Sequence, residues 1–200
     1  AFTAHDVVFT GNYCMNPDGG CAQSNKLADV ANIEALDDLT VKVTFSVAKP
    51  FPYGPFVGAE QPIIQKAQFA DCAGAKAPEC TAENFGPIGT GPFVVTDFKA
   101  NDVITMEANP HYRDASKPAF ASVTFKGGGD AAAAARSVLE TGEFDYAWNL
   151  QIDPTILSTM AAVGKGTVIS SFGTATERLM VNLSNPDPAL GDLRLSLIHI

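Results

Sequence analysis

The stretch "GPIGTGPFVVTDFKANDVITMEANPHYRD", residues 86–114, decides the fold. Its opening "GPIGTGP" invites comparison with a phosphate-cradling loop, which needs a Lys for the phosphates, a hydroxyl for Mg²⁺ and a following helix whose first amides face the anion. Here Pro92 removes an amide, no Lys follows the glycines, and the next residues alternate apolar and polar. The stretch therefore reads as a turn that launches a strand. "PFVVTDF" and "DVITMEA", joined by "KAND", predict an antiparallel hairpin, and "NPHYRDASKPAF" predicts a loop, because Asn-Pro and Lys-Pro bias the preceding residue away from helix.

Downstream, "ASVTFKG" has strand character. "GGGDAAAAARSVLETGEFD" predicts a helix over 131–140, with Asp130 as its cap and Gly142 as its stop. A second helix is marked in "DPTILSTMAAVGKG" by Asp153, Pro154 and Gly164. "FDYAWNL", "TVISSF" and "RLMVNLS" are expected to be strands, the first of them buried. Upstream, Thr3 and Asp6 in "TAHDVVFTGNYC" form a variant capping box for a short helix. After a turn at Asp37-Asp38, Val41, Val43, Phe45 and Val47 predict a half-buried strand. "AKPFPYGPFVG" reads as a surface loop presenting aromatic residues, and "AEQPIIQKAQF" as a short helix starting at Pro62. Strands interleaved with a few helices predict a mixed α/β (α+β) class.

The 200 residues are 46% apolar, enough for a sizeable core, and their net charge of −9 without any basic run argues against a nucleic-acid partner. No stretch approaches the length of a membrane helix, and "AFTAHDVVF" shows no targeting signal. The four cysteines fall into two local pairs, Cys14/Cys21 and Cys72/Cys80. Their spacing favours two disulfides over free thiols or a metal site, since His5, His111 and His199 are scattered. Two disulfides would indicate an oxidising compartment. No "GxSxG" and no paired acid/base carboxylates are present, so no catalytic residue is assigned. Trp148, the single tryptophan, reads either as a core aromatic or, with Asn149, as a cleft pair able to grip an uncharged or peptide-like ligand. Asn182, inside the apolar "LMVNL", needs a partner from either the fold or a ligand.

Taken in order, "TAHDVVFT", "IEALDDLTVKVTF", "PIGTGPF", "VITMEANPHYRDASKPAFASVTF", "LETGEFDYAWNL" and "RLMVNLSNP" resemble the extracytoplasmic solute-binding proteins of peptide ABC importers, the dipeptide- and oligopeptide-binding family. The family pattern has a "TA-x-DV-x-F-S" helix start, a "D-x-x-TV" strand, a "GTGP[YF]" turn, an "NP-x-Y" loop, a "G-[ED]-[FIL]-D" strand entry and an Asn near Pro. Six such motifs in order over residues 2–186 make the resemblance specific.

The resemblance implies part of the first lobe of a two-lobed periplasmic-binding-protein fold. Residues 1–85 would belong to its extra subdomain and 86–192 to its central sheet, with the second lobe absent. It implies that Trp148, Asn149 and Asn182 line the ligand cleft. It further implies a monomer without cofactor, periplasmic or lipid-anchored at a missing N-terminus, whose partners are a peptide-like solute and a membrane permease. A nickel chelate, a haem or an oligosaccharide in the same fold is the alternative, and a secreted hydrolase the more distant one. The end "GDLRLSLIHI" departs from the family's "D-x-R-V-R-x-A-L" continuation, so residues 193–200 are expected to be a non-family tail.

Overall fold

The computed structural model describes residues 1–58, 61–114, 116–171, 173 and 186. The expected strand at 178–184, with Asn182, and the tail at 193–200, with His199, lie outside the described residues. The chain divides into two units, Ala1–Gly129 and Asp130–Ile200.

In the first unit, helix α1 (Ala4–Met15) begins where Thr3 and Asp6 place it. The Thr3 amide donates to Asp6 Oδ2 at 2.8 Å and the Thr3 hydroxyl reaches the same oxygen at 3.2 Å. The other oxygen, Oδ1, accepts the Lys66 amide at 2.9 Å, at the start of helix α2 (Lys66–Phe69). One carboxylate thus serves the first turns of two helices. Burial pushes the Asp6 pKa up, but the Lys66 and Thr3 amides, the Thr3 hydroxyl and the nearby N-terminal charge outweigh it and hold the group below its ordinary value. This arrangement corrects the helix expected from Pro62. The Ile64 amide donates to the Thr10 hydroxyl at 3.0 Å, so the chain stays non-helical until Asp6 receives it at Lys66.

Strands β1 (Val30–Ala35) and β2 (Val41–Phe45) pair antiparallel, with Ile33 opposite Val43 and Ala35 opposite Val41. In their turn, Asp37 Oδ1 accepts the Leu39 amide at 2.8 Å, and the Asp38 carbonyl accepts the Ala4 amide of α1 at 2.8 Å. A helix's first amides have no partner within the helix, and the hairpin turn supplies one. Cys14, Leu27 and Ile33 form the buried centre, with Val8, Val41 and Val43 against it. Both cysteine pairs, Cys14–Cys21 and Cys72–Cys80, are disulfides.

Helix α3 (Thr81–Phe85) leads to a second antiparallel sheet of order β3 (Phe93–Lys99), β4 (Val103–Ala108) and β5 (Ser122–Lys126). The rings of Phe85 and Phe98 stack at 4.5 Å, tying the helix to the sheet. The "GTGPF" and "NP-x-Y" motifs meet at the open end of the β3–β4 hairpin. Buried Asn109 donates through Nδ2 to the Gly91 carbonyl at 2.8 Å and accepts the His111 amide at 3.0 Å, while its own amide donates to the Pro92 carbonyl at 2.9 Å. The glycine-rich turn is thereby fastened by a side chain seventeen residues beyond Pro92 in "ANPHY".

The second unit opens with α4 (Ala131–Arg136), capped by Asp130 Oδ1, which accepts the Ala133 amide at 2.7 Å. The helix continues through a π-helical turn, Ser137–Thr141, and stops at Gly142, whose φ of +71° suits glycine. Helix α5 (Pro154–Ala161) starts at Asp153, whose Oδ1 accepts the Thr155 amide at 2.7 Å, and the chain turns at Gly164. Ala135, Leu139 and Met160 form this unit's core.

Two strand expectations fail here. Neither 144–150 nor 167–171 is a strand, and "FDYAWNL" is largely exposed instead of buried. A strand is completed by hydrogen bonds from a neighbour, and no described segment pairs with either stretch.

Candidate ligand site

Within the second unit, the chain around Trp148 and the chain after α5 face each other across a groove of about 700 Å³. That volume lies in the range of small-molecule sites, about 300–1,000 Å³. Leu139 and Leu157 contribute from the helices, Tyr146, Trp148 and Asn149 from one wall, and Lys165 from the other. The two aromatic side chains are not held in the core, since Trp148 is 78% and Tyr146 73% exposed. Asn149 has φ +54°, one of two non-glycine residues with positive φ among those described. Asn adopts this region more readily than most residues, and the reversal separates exposed Trp148 from Leu150, which packs on the Leu139 core.

Sequence reasoning singled out Trp148 and Asn149, and the structure brings both to one groove. Tyr146 and Lys165 were missed. Tyr146 lies two residues from Trp148 and was absorbed into the expected buried strand, and Lys165 was read only as part of a helix-stopping "GKG". Asp145 and Lys165 are the charged residues of the lining.

Cys72, Cys80 and Glu83 come within metal-ligand reach of one another, but the two sulfurs are bonded to each other. Asp130 is occupied as a cap. No histidine lines the groove among the described residues.

Residues 1–195 match the bacterial extracellular solute-binding proteins, family 5, in the family's middle region. The chain belongs to this family. The glutathione-binding protein GsiB of Pectobacterium atrosepticum is 28% identical over 153 residues, covering 76% of this chain and 28% of GsiB. The oligopeptide-binding protein AppA of Bacillus subtilis, solved with a nonapeptide, superposes with a TM-score of 0.63 at 27% identity, over 71% of this chain and 28% of AppA. The ABC transporter substrate-binding protein CtaP of Listeria monocytogenes superposes with a TM-score of 0.62 at 25% identity, over 82% of this chain and 32% of CtaP. The chain therefore spans about a third or less of the length of these relatives, and its mixed α/β architecture is part of a periplasmic-binding-protein fold. Among the described residues, no helix is long and apolar enough to cross a membrane.

Proposed function

We propose that the protein containing this chain is the solute-capturing component of an ABC importer, taking peptides or peptide-like solutes outside the cytoplasm and delivering them to a membrane permease. The observation that carries the reading is the family 5 match over residues 1–195. GsiB is named for glutathione and AppA was solved with a nonapeptide, which supports a peptide-like solute, while NikZ of Campylobacter jejuni with Ni(L-His) and AgaA with agropinic acid keep a metal chelate or an opine as the second reading. In this reading residues 1–85 belong to the extra subdomain of the first lobe and 86–192 to its central sheet. Trp148 offers an aromatic face, while Asn149 and Asn182 offer amides that can donate to and accept from a peptide backbone. Capture is a population shift: solute binds the closed two-lobed state better than the open one, and closure extends as far as that difference in affinity allows.

A thermal-shift screen of the full-length protein tests this. A peptide library raises Tm; stabilisation by oligosaccharides, haem or nickel chelates with no response to any peptide overturns the solute assignment.

A further inference from the structure

Of the two non-glycine residues with positive φ among those described, one has a local use and the other does not. Asn101, at φ +61°, sits in the turn that joins β3 to β4, closed by the Asp102 amide donating to the Lys99 carbonyl at 3.0 Å. Asn149, at φ +54°, joins no pair of strands among the described residues. No hydrogen bond among the described residues holds its side chain there either. What the reversal does is break an alternation. In extended backbone, residues i and i+2 point to the same side. Trp148 and Leu150 stand in that relation, yet Leu150 packs on the core of Ala135, Leu139 and Met160 while Trp148 is exposed along the groove.

Left-handed backbone is costly for most side chains and tolerable for Asn, so its presence at a groove calls for a use. We propose that Asn149 is a positioning residue: its left-handed backbone, beyond any contact its amide makes with solute, holds the Trp148 ring on the groove wall and keeps it from following Leu150 toward the core. This rests on the solute-capture reading above. A β-branched residue at this position favours extended backbone and restores the alternation; with Leu150 held by its packing, the exposed ring is what moves. Glycine accepts the same φ, so it keeps the ring in place while giving up the amide.

The test is calorimetric titration of the full-length protein with glutathione and a tripeptide library, the tightest binder then being used with each variant. Asn149→Gly weakens binding by whatever the amide contributes, and Asn149→Val weakens it about tenfold further. In a Trp148→Ala background the gap between the two Asn149 variants falls below about threefold, because the backbone acts through the ring. In protein labelled with fluorotryptophan, the Trp148 fluorine resonance, assigned by its loss in Trp148→Phe, shifts in Asn149→Val and stays in Asn149→Gly, both without solute. Equal losses of binding in the two variants overturn the positioning role and leave the amide as the whole contribution. So does a gap that persists undiminished without Trp148. An Asn149→Val protein that melts earlier yet keeps the wild-type resonance also overturns it, the pattern of a turn needed only for packing. If no probe binds the wild type, the solute reading fails, and the fluorine comparison still decides whether Asn149 places the ring.

Discussion

The two units of the chain spend their polar residues differently. In Ala1–Gly129 the polar groups of the motifs are turned inward on the backbone: the Asp6 carboxylate serves α1 and α2, the Asp38 main-chain carbonyl accepts the Ala4 amide of α1, and Asn109 fastens the turn at Gly91 and Pro92. In the second unit a small apolar core of Ala135, Leu139 and Met160 supports a segment whose aromatic residues face outward. The contrast shows that family motifs of equal strength in sequence mark two different things. Those of the first unit mark places where one backbone segment holds another, and that around Trp148 marks a surface left open.

The sharpest way to break this comparison is at the core of the second unit. Leu139→Ala is expected to cost about 2–5 kcal/mol, read from chemical denaturation, with lost hydrogen-exchange protection in α4 and α5. Unchanged protection there means the Leu139 cluster is not what holds that unit. Next in size, replacing Cys14 and Cys21 together by Ser removes a short-loop constraint of about 2.5 kcal/mol in the chain-entropy model, and protection falls in α1 and β1–β2. A denaturation midpoint that does not move refutes the bracing role. Asn109→Ala leaves the Gly91 carbonyl and the His111 amide without their partner and costs about 1–3 kcal/mol; a loss below about 0.5 kcal/mol means water replaces the amide at no penalty.

A smaller effect concerns acid. The folded-state pKa of Asp6 is depressed, so its stabilising contribution is fully present above the unfolded value of about 3.9 and is lost as pH falls through the folded value. Asp6→Asn flattens that part of the stability-against-pH curve, and an unchanged acid limb assigns it to other carboxylates. Smallest of all for stability is Trp148→Ala, expected within about 0.5 kcal/mol because the ring is exposed, while solute-induced stabilisation of the full-length protein drops. A large loss of stability without solute would make Trp148 a packing residue after all.

Much of this was readable from the sequence where the determinants are local. Asp130, Asp153, Pro154, Gly142 and Gly164 bracket their helices within a few residues, and a short turn joins two alternating runs at 93–108. Long-range partners were not readable. Strand β1 escaped because "VANIEA" lacks alternation and is defined by its pairing with β2 across a register shift. The start of α2 depends on a carboxylate sixty residues earlier. The segment at 144–150 has a strand's composition, but no neighbour among the described residues completes it. Of the groove, the aromatic-amide pair stood out by its chemistry, while Lys165 did not, because a lysine between two glycines looks like solvent-facing punctuation until its stem is seen lying over Gly142.

The Asn109 fastening has a consequence for how this part of the chain can vary between species. The β3–β4 hairpin is held at one end by the turn after Lys99 and at the other by Asn109 against Gly91. A single inserted residue on either arm would turn every later side chain on that arm to the opposite face and pull the amide away from its carbonyl. Insertions and deletions between Phe93 and Ala108 should therefore occur in matched pairs, one residue on each strand, or be absorbed by a bulge such as the one the register shows between Val95 and Asp97.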